Sequence, residues 1–261
     1  MKKIVIALAL ICVSTTAQAQ ISLRDVVVQR GYFIDKSEQC KGELKNELWD
    51  FCGCEADLTY PQIEDGVGHP LIESRINTRL KFLASKEQCL GEPAPEPENA
   101  DSHSTLYESS YDVLVNDSRY FSVLQSTFHH PAGAAHGMTT QNAVTFAMPD
   151  GKPLSMAMML DESQQDAINA HIYDSIVSSY EGGVEKGSYW DEVLNAKKNS
   201  FVNRNACDGC IAYLDKKGVT LAFRPYSVAP HSAGIVTVVI PNAFIGDPAL
   251  KSYLETVSDA E

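Results

Sequence analysis

Residues 107 to 128 read "YESSYDVLVNDSRYFSVLQSTF". Two runs of aromatic, β-branched and small residues flank the cluster Asn116, Asp117 and Ser118. Such runs favour a pleated, half-buried surface, and an Asn-Asp-Ser cluster favours chain reversal, so the stretch predicts a β-hairpin. "TTQNAVTFAM" at 139–148 reads as a third strand, closed by the turn "PDGK" at 149–152. The pattern then changes period. Ser163 is placed to cap a helix carrying Ile168, Ile172, Ile176 and Tyr180. A short helix is expected around "YWDEVLNAKK" at 189–198. "CIAYLDKKGVTLAFRPY" at 210–226 predicts a second hairpin turning at "KKG", "GIVTVVIPNAFI" a further strand, and "DPALKSYLETV" a terminal helix.

Upstream, "ISLRDVVVQ" at 21–29 reads as a strand. From Pro70 the chain becomes helical, with Ile72, Ile76, Leu80 and Leu83 on one stripe and Arg75, Arg79 and Lys81 off it. That stripe is a core face. The stretch "LGEPAPEPENADSHS" at 90–104 holds three prolines and four acids and reads as an extended linker. Local strand pairing with inserted helices predicts an α+β fold, an antiparallel sheet with packed helices in two small subdomains. The expected layout is a cysteine-rich α+β subdomain at 20–89, the linker at 90–104 and an α+β domain at 105–261.

The first residues, "MKKIVIALALICVSTTAQAQ", place two lysines before an apolar run and a small-residue stretch ending at Ala19. That is the layout of a secretory signal peptide at 1–19, and it predicts a periplasmic or secreted protein. The run is too short for a spanning helix, and no other segment is long and apolar enough, so no membrane span is expected. The formal net charge is −13 and becomes −15 without Lys2 and Lys3. An acidic balance argues against nucleic-acid binding and favours cationic partners. Six cysteines then remain, Cys40, Cys52, Cys54, Cys89, Cys207 and Cys210. In an exported chain they are expected in disulfides, Cys207 with Cys210 and the other four in two pairs of open assignment. Zinc held by "CGC" and "CDGC", or a redox pair at 207–210, are the sharper alternatives.

Two loops concentrate the chemistry: "HHPAGAAHGM" at 129–138 and "PYSVAPHSAG" at 225–234. His129 and His130 are neighbours, so on a strand they point to opposite faces. Only one of them could share an ion with His136, joined by His231 if the loops meet. Neither loop supplies a carboxylate, so the ligand count falls short of a zinc site, and no metal or cofactor is expected. Ser232 beside His231 offers a nucleophile and a base, but adjacent residues rarely form that hydrogen bond, and no nucleophile elbow or zinc-protease helix occurs. No catalytic residue is therefore assigned. Gly133 and Gly137 permit tight connections, while Pro131 and Pro230 stiffen the loops. His136 is expected as a buried imidazole bonded to backbone.

Three stretches carry a resemblance. "YFSVLQSTFHHPAGAAHGMTTQNAVTFAMPDGKPLSMAMML" resembles the central segment of a bacterial extracytoplasmic domain family, with a strand, a Gly-Gly-Ala-His-like loop and another strand. "GVTLAFRPYSVAPHSAGIVTVVIP" resembles its second signature, and "LTYPQIEDG" with "ESRINTRLKFLA" the region upstream. That family supplies the outer domain of RsiV-type lysozyme-sensing anti-sigma factors and the N-terminal part of some peptidoglycan deacetylases, and it resembles a secreted mycobacterial antigen. Gly133, Ala135 and His136 match the first loop; Tyr226, Ala229, Pro230 and Gly234 match the second. Ala134 departs from an expected glycine and His231 from an aromatic residue. The quoted stretches hold no anti-sigma helix and no deacetylase domain, so neither activity is implied. The resemblance implies an exported, non-enzymatic binding protein whose partner is a cationic protein such as lysozyme, or a cell-wall component. The expected contact residues are His129, His130, Gly133, His136, Tyr226, Pro230 and His231. The other reading is a peptidoglycan-acting enzyme or accessory factor with a histidine-lined cleft.

Overall fold

The computed structural model describes residues 20–33, 53–85, 105–130, 134–180, 210–229 and 231–258. The expected signal segment, the linker and the expected helix at 189–198 lie outside these residues. Strands β1 (Ser22–Phe33), β2 (Gly53–Asp65), β3 (Thr105–Asn116), β4 (Tyr120–His130), β5 (Met138–Ala147) and β6 (Lys152–Leu154) form one six-stranded sheet in that order. Helix α1 (Pro70–Ser85) lies between β2 and β3 in the chain. The predicted hairpin is there, with Phe121 opposite Asn116 and His130 opposite Leu106. Asp117 Oδ1 accepts the backbone N–H of Arg119 and of Tyr120, which closes the turn.

Every neighbouring pair in this sheet is antiparallel except β2 with β3, which run parallel over 54–58 and 105–109. Parallel neighbours require a long crossover, and α1 lies on it. Its Ile76, Leu80 and Leu83 are buried against Phe121, Val123, Val144 and Phe146 of β4 and β5. The helical stripe read from the sequence is thus a core face, and it joins residues from both sides of the linker.

The alternate residues of β4 face a second layer. There β7 (Ile211–Asp215), β8 (Gly218–Phe223) and β9 (Val236–Ile240) form a three-stranded antiparallel sheet, with Leu124 packed against Tyr213 and Ala222. A short polar relay ties the layers. Ser122 Oγ and Thr145 Oγ1 lie 2.9 Å apart, and Thr145 Oγ1 accepts the N–H of Leu214 at 3.0 Å. Ser122 and Thr145 are fully buried, so each polar group needs such a partner. Between the sheets in sequence come α2 (Met156–Met159) and α3 (Gln165–Tyr180); α4 (Pro248–Ser258) ends the chain's described part. Ile168, Ile172 and Ile176 of α3 are buried in the core of the second layer. The cap is not Ser163. Asp161 accepts from the N–H of Ser163 and opens a 3₁₀ turn at Glu162–Gln164 that leads into α3. A carboxylate accepts from orphan N–H groups as readily as a hydroxyl does, and Asp161 sits at the outer end of the turn. Its hydrogen bonds from Gln164 and Ser163 hold the carboxyl below its ordinary range. Among the described residues no helix is long and apolar enough to cross a membrane.

Candidate functional site

The β4–β5 and β8–β9 connections meet at one end of the sheets. β8 ends at Phe223, and Pro225 and Tyr226 form the centre of a reverse turn in which Ser227 donates its N–H to Arg224 O at 3.1 Å. Proline before a left-handed residue is the pattern of a type II turn. Glycine or asparagine normally takes that second position. Here it is Tyr226, with φ at 66° and the residue 52% exposed. Val228 and Ala229 then dive into the core and anchor the loop. A 3₁₀ turn at His231–Ala233 comes next, closed by Gly234 at φ 67°.

His231 crosses to the other loop. Its Nε2–H donates to Gly137 O at 3.1 Å, which fixes that nitrogen as the protonated one. His136 Nδ1 lies 3.3 Å from the same carbonyl. The His136 and His231 ring centroids are 4.4 Å apart, and the Tyr226 ring lies 5.6 Å from that of His231. Tyr226, His231 and His136 therefore form a row of three rings, braced on one backbone oxygen. Gly137 makes the brace possible. A Cβ there would fall 2.3 Å from Cζ of Phe128 and 3.1 Å from His129 O.

His129 and His130 take separate places. His129, opposite Met138 in the ladder, stacks on Tyr107 with centroids 4.4 Å apart and planes 6° from parallel. Burial, with a smaller contribution from neighbouring His130, pushes its imidazole below the ordinary histidine range. His130 turns the other way, its ring 6.4 Å from Phe128. The strand alternation expected of the pair is what the structure has. Gly133 and Pro230 lie outside the described residues, as do Cys40, Cys52, Cys89 and Cys207.

The expectation for His136 is corrected. Its ring is exposed and bonds the carbonyl of the next residue, not a buried backbone group. Ala134 and Ala135 beside it are too short to wall an imidazole off from water. Sequence reasoning also passed over Tyr107, Phe128 and the carbonyl of Gly137. The signal for Tyr107 was strand register, which places it opposite His129. Among the described residues no three His, Cys, Asp or Glu side chains converge as a metal site. The arrangement can present a row of three mutually tilted rings to a partner and hold it in one geometry.

One solved structure shares the fold, and the known proteins are silent on the chemistry. Residues 211–243, which span β7, β8, β9 and the connections between them, match a family described as "Protein of unknown function (DUF3298)". A member of that family from Bacteroides fragilis NCTC 9343 is a solved structure with 13% identity, a TM-score of 0.53 and coverage of 92% of this chain and 99% of its own. A DUF3298 family protein from Pseudomonas aeruginosa PAO1 has 17% identity and a TM-score of 0.47, covering 88% of this chain and 96% of its own. No curated protein matches the chain.

Proposed function

We propose that this chain is an exported, non-enzymatic binding protein that holds a cationic protein against the Tyr226–His231–His136 row, with a lysozyme-type muramidase as the concrete candidate. The observation that carries the reading is the row itself, with Tyr226 exposed at a backbone angle that costs energy to hold. A braced aromatic projection loses little freedom on association, and tyrosine is a recurrent anchor at interfaces. The 34 acidic against 21 basic residues support a cationic partner through long-range steering. Export, to the periplasm or beyond, rests on the N-terminal layout. The disulfide bonding of Cys210 supports an oxidising compartment.

Calorimetric titration into several lysozymes, paired with a lysozyme activity assay, tests the reading. Binding tighter than about 100 μM is expected, with association slowing as salt rises. Tyr226→Ala and His231→Ala should act mainly on dissociation, speeding it about tenfold or more. Neither heat nor inhibition with any lysozyme at that concentration rejects this partner. Release of muropeptides from purified sacculi by the chain alone would instead favour a peptidoglycan-acting enzyme.

A further inference from the structure

A free strand edge is a template for pairing, and folded proteins blunt such edges with charge, proline, bulges, short length or a covering element. Three edges here are blunted. β1 carries Arg24 and Asp25 and a register shift between Ser22 and Leu23. β9 is packed by α3, where His171 Nε2 donates to Val239 O at 2.9 Å. β7 is only five residues long, ends in Asp215, and gives its Leu214 N–H to Thr145 Oγ1.

Among the described residues, the outer flank of β5 carries no charge, proline or bulge along 138–144. β6 pairs with it only at 145–147, so seven of its ten residues, 138–144, have a ladder partner on the β4 side alone among the described residues, while Ala143 packs across to β7. No backbone hydrogen bond outside the ladders reaches these seven from any described residue. The side-chain bonds of Thr140 and Gln141 run back to β4, to Thr127 O and Ser126 Oγ, and leave the outer flank open. The run is "MTTQNAV": no charge, no proline and no glycine. Its pairing with β4 shows no register shift, so no bulge twists the edge away. Residues 138–143 are half-buried.

We infer that this flank of β5 pairs antiparallel with the same flank of a second copy of this chain. The run is self-complementary about Gln141. In that register Met138 meets Val144 of the second copy, Thr139 meets Ala143, Thr140 meets Asn142, and Gln141 meets itself. Each pair is uncharged and of compatible size, which a two-fold interface requires at every position at once. β6 stops the pairing at Thr145 in both copies, so the two open lengths coincide. The two Met138 residues then lie about 20 Å apart along the strands, at about 3.4 Å per residue. Each is one residue from Gly137, so the dimer presents two aromatic rows flanking its axis. Pairing at this edge is independent of the partner proposed for those rows. Because both copies are acidic, salt strengthens this pairing, whereas it weakens capture of a cationic protein.

Sedimentation velocity of the purified full chain over about 1–200 μM, a range that spans weak specific association, tests it. A concentration-dependent monomer–dimer equilibrium, tighter at higher salt, is expected. Asn142→Lys and Thr140→Glu, each checked for an unchanged circular dichroism spectrum and melting temperature, should each weaken self-association at least tenfold. An equimolar mixture of the two variants should recover a heterodimer, since position 142 of one copy faces position 140 of the other, with opposite charges, only in the register centred on Gln141. If either variant fails to fold, hydrogen exchange of the unaltered chain replaces it, with protection of 138–144 rising with concentration. A monomer at every concentration overturns the inference, as does a dimer indifferent to both substitutions. Protection of 138–144 that appears only on adding lysozyme also overturns it, and assigns the edge to a foreign strand.

Discussion

Tyr226 carries two opposed effects in one side chain. Its ring is one end of the aromatic row, and its backbone is the one non-glycine position with positive φ among the described residues. An L residue there places Cβ too near the following carbonyl, at a cost of roughly 1–2 kcal/mol. Glycine removes that cost but also adds freedom to the unfolded chain, which offsets about half of it. Tyr226→Gly should therefore match or exceed the parent in melting temperature, and should exceed Tyr226→Ala by about 1 kcal/mol in chemical denaturation. Both variants should lose binding alike. Equal stability of the glycine and alanine variants would show that the turn is not strained in solution. None of this is readable from "PYSV" alone. Proline marks a turn there, but its type depends on how Val228 and Ala229 are seated in the core, which is a long-range matter.

The hairpin turn between β3 and β4 is more than a reversal. Asp117 directs one carboxylate oxygen to the N–H groups of Arg119 and Tyr120 and the other to the hydroxyl of Tyr253 in α4, at 2.8 Å. The guanidinium of Arg119 lies 4.3 Å above the Tyr253 ring and donates to Thr256 Oγ1. Burial, followed by the bond to Asp117, raises the Tyr253 phenol well above its ordinary pKa, which keeps it the donor. One aspartate thus joins a local turn to the last helix across 136 residues of chain. Asp117→Ala should cost about 1–3 kcal/mol, measured by urea denaturation, because it orphans the turn amides and the half-buried hydroxyl together. Tyr253→Phe should cost less, and the double variant should fall short of the sum by at least about 0.5 kcal/mol. Strict additivity would mean that the turn and the helix dock independently. Asn116, Asp117 and Ser118 announce the turn in the sequence, since turn chemistry is local. The partner in α4 is not announced. The same contrast separates the elements at large. Both hairpins and the stripes of α1 and α3 came from periodicity within a dozen residues, and the Asp161 cap, its carboxylate bonded to Ser163 and Gln164, is equally local; the exposure of His136 depended on which neighbours folding supplied.

The linker at 90–104 predicts two halves, and the large sheet draws strands from both. β2 comes from before the linker, β3 from after it, and they pair in parallel. Nothing in the sequence declares that pairing, because parallel neighbours are joined through a crossover and not through a turn. Its consequence is a shared core. Ile63, Ile76 and Leu80 from the first half and Phe121, Val123 and Phe146 from the second are each at most 1% exposed and belong to one cluster. Removing residues before 105 would uncover one face of β4 and β5, a contiguous apolar patch of the kind monomers rarely expose. Each large side chain so exposed forfeits about 1.5–3 kcal/mol of burial, and domains of this size have only about 5–15 kcal/mol in total. The segment 105–261 expressed alone should therefore bind hydrophobic dye and lack a cooperative melt. The full chain should unfold in a single calorimetric transition, with van't Hoff and calorimetric enthalpies in agreement. Two resolved transitions in the full chain, or a cooperative melt of 105–261 at the full chain's upper temperature, would support the two-subdomain reading and place the linker at a true boundary.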